Sequence, residues 1–212
     1  MKLTDWLILD LSTSALPDIA QYLDTPKPRK GTKDEDKIAA QIAAKTQEQI
    51  DGAGLDPDLC QITGYGLLRP EGDVKVRVMG PEGVSEKALV LDVLEAIEGH
   101  HNRVLIGFNS RSFDWIVLIR RCMYLGLPIP NINMDRYRSQ NIDLYDRLTY
   151  FGAVKSHPLS FYSKRLNVGL VKPLSGAEES QVPVTGKWAE LSESLRHDVL
   201  ASQAVAKWMG LI

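Results

Sequence analysis

Apolar and polar positions along this chain switch between a two-residue and a helical period. Residues 6–11 (WLILDL) are an apolar run broken by one acid, which fits a central strand buried on both faces. Residues 24–36 are charged and carry two prolines and a glycine, the composition of a surface loop or linker. Residues 37–50 (KIAAQIAAKTQEQI) are alanine-rich with apolar residues at helical spacing. This predicts a helix in an insertion, either packed on the main sheet or forming a flap.

Beyond it, residues 59–69 and 73–79 predict two strands of a hairpin around Pro70-Glu71-Gly72-Asp73. Residues 85–98 predict an amphipathic helix with Ser85 as N-cap. A strand follows at 103–108 and a helix at 112–125, ended by Gly126. Residues 141–151 begin extended and turn helical, 159–166 form a short helix, and 187–209 hold one or two helices. His100-His101 falls in a loop before a strand. The order predicts one α/β domain with a mixed sheet over residues 1–212.

A chain of 212 residues can bury a sizeable core unaided. The net charge of −2 gives no strong general field, so nucleic-acid contact would come from local basic clusters. These are Lys27-Pro28-Arg29-Lys30, Arg136-Tyr137-Arg138 and Lys164-Arg165, each equally an ordinary solvated surface. Tyr137, Phe161 and Tyr162 lie beside basic residues and could stack on unpaired bases, although the core is the plainer place for Phe161. Cys60 and Cys122 form no CxxC pair and are expected as buried reduced thiols. No apolar run approaches the roughly 18 residues of a membrane span. Lys2 followed by Asp5 and an acid-bearing strand is not a signal-peptide pattern, so the expected location is cytoplasmic.

Three acids stand out. Asp10 interrupts the first apolar run, Asp114 follows the strand–turn Val104 to Phe113, and Asp198 lies in the last helical stretch. An acid inside a buried strand is costly unless it is paired or binds metal. Each has a structural alternative: a satisfied hydrogen bond for Asp10, a helix-dipole contact for Asp114, an exposed helical acid for Asp198. Carboxylates from several elements are what two-metal phosphoryl chemistry needs, and all-oxygen ligands suit Mg²⁺ or Mn²⁺.

Asn109-Ser110-Arg111-Ser112-Phe113-Asp114 and Asp198-Val199, with Asp10-Leu11 ahead of them, resemble the DEDD-type 3'-5' exonucleases of the RNase H-like fold. Asn141-Ile142-Asp143-Leu144, Leu174-Ser175-Gly176-Ala177 and Trp188 resemble their polymerase-proofreading-like branch. The resemblance implies an RNase H-like mixed sheet flanked by helices, with the helical insertion after the first strand. It implies Asp10, Asp114 and Asp198 as ligands of Mg²⁺ or Mn²⁺ in a two-metal site. It also implies single-stranded DNA or RNA as substrate, nucleoside monophosphates as product, and replication or repair proteins as company. Asn109 and Phe113 would position or wedge the terminal nucleotide, and Tyr137, by its place beside Arg136 and Arg138 rather than by the resemblance, would join them in binding the substrate.

Two positions depart from the family. Its Asp-x-Glu reads Asp10-Leu11-Ser12, and the tyrosine four residues before the last acid is Ser194. The histidine variant would place its base at Glu193. Ser12 is then a spectator or a weak, water-mediated contact. His197 is either a catalytic candidate or a packing residue, since adjacent helical residues diverge by about 100°. A hydroxyl in place of a carboxylate weakens one metal position, and loss of a general base costs a factor of about 10²–10⁴. Asp18, Asp143 and Glu193 are acids that could substitute. The expectations are therefore a metal-dependent 3'-5' exonuclease or a descendant weakened at Ser12; a non-catalytic nucleic-acid-binding module on the same fold; or a protein-interaction domain docking through 24–50.

Overall fold

The computed structural model describes residues 2–31, 33–80, 82–98, 103–169 and 171–212. The His100-His101 loop lies outside them. Strand β1 (Trp6–Ala15) is the middle of a five-stranded sheet of order β3-β2-β1-β4-β5. It pairs antiparallel with β2 (Cys60–Leu68) and parallel with β4 (Val104–Gly107). β3 (Lys75–Val78) continues the hairpin on one side, and β5 (Ile142–Asp143) adds a short parallel edge on the other. This is the RNase H-like mixed sheet flanked by helices that the resemblance implies.

The period-two pattern of β1 divides the core. Leu7, Leu9 and Leu11 face α2 (Glu86–Glu98) and α3 (Asp114–Tyr124), packing with Leu89, Val93, Trp115 and Leu118. Trp6 and Ile8 point the other way, to Leu144 of α4 (Leu144–Leu148) and to Val199, Val205 and Ala206 of α8 (Trp188–Trp208). Each such side chain removed from water contributes about 1.5–3 kcal/mol, so both faces hold the strand in register. Asp10 and Ser12 continue the Trp6–Ile8 parity and so lie on the α8 side.

Helix α8 approaches that side closely because β2 carries glycine where it crosses. A Cβ added at Gly66, the partner of Asp10, would lie 2.6 Å from Val199 Cγ2 and 3.1 Å from the Leu195 carbonyl oxygen. One at Gly64, the partner of Ser12, would lie 2.9 Å from Leu195 Cδ1.

The insertion forms α1 (Glu35–Gly52), capped by the Asp34 side chain on the Lys37 N–H. None of its residues is fully buried, so it lies at the surface with Ile38, Ile42 and Ile50 half-covered and its alanines exposed. Residues 187–209 form one helix rather than two. Two short helices, α6 (Gly176–Glu179) and α7 (Val182–Thr185), lie between α5 (Leu159–Arg165) and α8. Cys60 and Cys122 are both buried, and burial pushes their thiols up to about 12 and about 11. No described helix is long and apolar enough to cross a membrane.

Candidate active site

β4 pairs with β1 only as far as Ile8, and past that point the β4 side of β1 is open. Asp114 fills the opening. It begins α3, and its Oδ1 accepts the Leu11 N–H at 2.9 Å. This hydrogen bond fixes the carboxylate beside Asp10 on the backbone. From the opposite face, α8 delivers Asp198 to the same place, because the glycines of β2 let it approach. Asp114 and Asp198 are almost wholly buried, while Asp10 retains some exposed surface.

The three acids act on one another electrostatically, Asp198 on both Asp10 and Asp114, and Asp114 on Asp10. Asp10 is held well above the usual carboxylate range, first by burial and then by the negative charges of Asp198 and Asp114. Asp114 is pushed up to about 7: burial raises it, the Leu11 N–H and its own N–H pull it down, and Asp143 and Asp198 raise it again.

Two residues that no sequence motif singled out complete the cluster. The Lys172 ammonium pairs with Asp198 Oδ2 and lies 2.8 Å from Glu179 Oε1. Burial alone would lower Lys172, but Asp198 and then Glu179 carry it above its ordinary range. Glu179 is itself raised by burial, against the pull of Lys172. Lys172 lowers Asp10 and Glu179 raises it, so both belong to the same field. A lysine in an irregular segment and the second of two adjacent glutamates carry no spacing signal. The recoverable sign was Ser175-x-x-Glu178, a capping box that starts a helix and so places Glu179.

His197 is buried on α8. Its Nδ1 lies 2.9 Å from Asp198 Oδ1, and its Nε2 lies 3.0 Å from the Ser163 hydroxyl of α5. An ionised carboxylate only accepts, so Nδ1–H donates to Asp198 and Nε2 accepts from Ser163. The imidazole thus turns back onto its neighbour, where helical spacing predicts divergence.

Ser12 is buried with its hydroxyl 3.5 Å from Thr63 Oγ1 on β2. Ser194 is fully buried, accepts the Leu174 N–H at 3.2 Å and lowers the Glu179 carboxyl slightly. Asp143 is committed elsewhere: it accepts the N–H groups of Asn109 (2.9 Å), Arg111 (3.0 Å) and Tyr145 (2.9 Å). It thereby shapes the turn in which Asn109 adopts a φ of 58°. Phe113 is half-buried against the α2–α3 side of the core. Asp18 and Glu193 are exposed. Tyr137 is 72% exposed and leans on Phe151 with ring centroids 5.1 Å apart. Phe161 is exposed too, stacked on His157.

The donor set suits a hard divalent cation: carboxylate oxygens only, with the charge of Asp198 raising both Asp10 and Asp114, and one ammonium among them. Among the described residues no three acid, histidine or cysteine side chains already close into an ion cage. The fit is therefore one of charge and ligand chemistry, with Lys172 held between two of the acids.

One solved structure shares this arrangement of elements over nearly the whole chain. The family B DNA polymerase of the hyperthermophilic archaeon Pyrobaculum calidifontis superposes over 98% of this chain with a TM-score of 0.67 at 15% identity. The chain spans only 25% of that polymerase's length. A structure of exonuclease I, described as suggesting how processivity is achieved, aligns over 97% of this chain and 40% of its own, with a TM-score of 0.45 and 13% identity. No curated protein sequence matches the chain. A family model does, over residues 57–206, which takes in β2, both sides of the sheet, Asp114, Lys172, Glu179 and Asp198. With most of its length and all but the β1 part of this acidic cluster inside that match, the chain belongs to the predicted 3'-5' exonucleases related to the exonuclease domain of PolB.

Proposed function

We propose that this chain is a divalent-metal-dependent 3'-5' exonuclease acting on single-stranded ends. The observation that carries this reading is the convergence of Asp10, Asp114 and Asp198 where β4 leaves β1: Asp114 is tied to the Leu11 N–H next to Asp10, and the charge of Asp198 acts on both other acids. Bound Mg²⁺ or Mn²⁺ would make a water nucleophilic and stabilise the departing oxygen. The chain's own residues do the rest. Asp10, Asp114 and Asp198 hold the ions. His197 and the Leu11 N–H fix the orientations of Asp198 and Asp114. Water adds to the terminal phosphorus, the P–O3' bond breaks, the 3'-oxygen takes a proton, and a nucleoside monophosphate leaves. Asn109 and Phe113, on the turn before α3, border the terminal nucleotide. The exposed rings of Tyr137 and Phe161, beside Arg138 and Lys164, offer stacking platforms for the preceding bases.

A second reading, a nucleic-acid-binding module without chemistry, is favoured by one observation. Ser12 and Ser194 are both buried where the family resemblance expects a glutamate and a tyrosine, and neither can act as a general base. A gel time course on 5'-labelled single-stranded DNA and RNA in Mg²⁺, Mn²⁺ or EDTA separates the two. The exonuclease reading expects a metal-dependent ladder from the native chain and none from Asp114→Ala. Salt-sensitive binding without product at long times would leave only the module.

A further inference from the structure

The cluster contains a carboxylate that the resemblance does not account for. Glu179 closes α6, and α6 packs against β1. Its neighbour Ser180 meets the chain just beyond Ser12: a Cβ at Gly54 would lie 3.0 Å from Ser180 Cβ and 3.6 Å from the Ala15 nitrogen. Leu174 and Val182 bracket α6 and are buried on Leu191 and Leu195 of α8, which anchors the segment. Ser194, small where the family resemblance expects a tyrosine, sits fully buried on α8 beside this segment, its hydroxyl accepting the Leu174 N–H just ahead of α6. Glu178 carries the capping box of α6, so Glu179 has no part in holding its own helix. It is instead turned inward, with its side chain only 15% exposed, and shares Lys172 with Asp198. A carboxylate buried among like charges is costly unless a cation answers it, and Lys172 is one ammonium facing Asp10, Asp198 and Glu179.

We propose that Glu179 is the fourth metal-holding acid of this site, delivered by α6 to do the work of the carboxylate that β1 lacks at Ser12. The inference rests on the metal-dependent nuclease reading. It makes the serines at 12 and 194 parts of one rearrangement: the acid has moved from strand to helix, and the small Ser194 lets the segment that carries it pack onto α8. Lys172 then holds Asp198 and Glu179 together in the ion-free chain and swings aside when a divalent ion takes its place.

Mn²⁺ titration of the full chain, followed by the loss of the free-ion electron paramagnetic resonance signal, tests this without recourse to activity. Glu179→Gln should weaken Mn²⁺ binding at least tenfold, and Ser12→Glu added to it should restore native affinity. Native affinity in Glu179→Gln, alongside lost binding in Asp114→Ala, would overturn the role of Glu179 and leave the nuclease reading standing. Native affinity in Asp114→Ala, or no Mn²⁺ binding by the native chain, would overturn that reading and this inference with it. Should Glu179→Gln not fold, as judged by circular dichroism, the exchange Ser12→Glu with Glu179→Ser carries the test. Affinity within threefold of native supports the inference, and a tenfold loss overturns it.

Discussion

His197 and Asp198 are chain neighbours on α8, yet the imidazole Nδ1 reaches Asp198 Oδ1 at 2.9 Å. Ser163 on α5 makes this possible by binding the other ring nitrogen at 3.0 Å, so the ring is held at both ends. The pair couples a core helix to a candidate metal ligand, and removal of such a partner typically costs 10–100-fold in metal affinity. His197→Ala should weaken Mn²⁺ binding by about tenfold or more. Ser163→Ala, which frees one end of the ring, should weaken it less. Calorimetric titration with Mn²⁺ checks the order, and equal loss in both variants would mean that Ser163 alone sets the ring.

Gly66 bears on the same helix from the sheet. It pairs with Asp10, and an added Cβ would sit 2.6 Å from Val199 Cγ2 with backbone of Leu195 close behind. Val199 adjoins Asp198, so any relief moves the acid away from Asp10. Overpacking of this kind costs about 1–3 kcal/mol. Gly66→Ala should lower the melting temperature and also weaken Mn²⁺ binding. A variant that melts early but binds Mn²⁺ normally would show that α8 relaxes without carrying Asp198 with it.

The strands, α2, α3, α5 and the insertion helix were legible because their apolar positions recur at two periods and because Ser85 and Gly126 mark ends by local chemistry, whereas the Asp34 cap that starts α1 two residues ahead of its apolar pattern was read as loop. Asp10 and Asp114 were legible for a related reason: acids next to buried strands are conspicuous. α6 and α7 were not, since four-residue helices have no periodicity to read. Lys172 and Glu179 depend on where that irregular segment docks, which Leu174 and Val182 decide by packing on α8. The turn of His197 onto Asp198 was hidden as well, because helical spacing fixes Cβ directions but not ring rotations. Asp143 illustrates the opposite case: it lies in a motif that resembles the family's, yet its oxygens accept three backbone N–H groups that shape the turn before α3.

The crowded acids also give the ion-free chain a definite pH dependence. Asp114 is raised from an ordinary value of 3.8 to about 7, and Asp10 is raised in the same direction. Below pH 4 the folded and unfolded chains both carry these protons, and no difference arises. Between pH 4 and 7 the unfolded chain releases the Asp114 proton while the folded chain keeps it. The folded state then binds more protons, so stability falls as pH rises through this window and levels off for Asp114 above it. In EDTA the melting temperature should therefore drop from pH 5 to pH 8. Mn²⁺ competes with those protons, so its stabilising effect should be small at pH 5 and grow towards pH 8. Asp114→Asn, which cannot ionise, should flatten the EDTA profile and remove much of the Mn²⁺ effect. A drop of unchanged size in Asp114→Asn would assign the dependence to Asp10 and Glu179 and show that Asp114 is already ionised in the folded chain across the range.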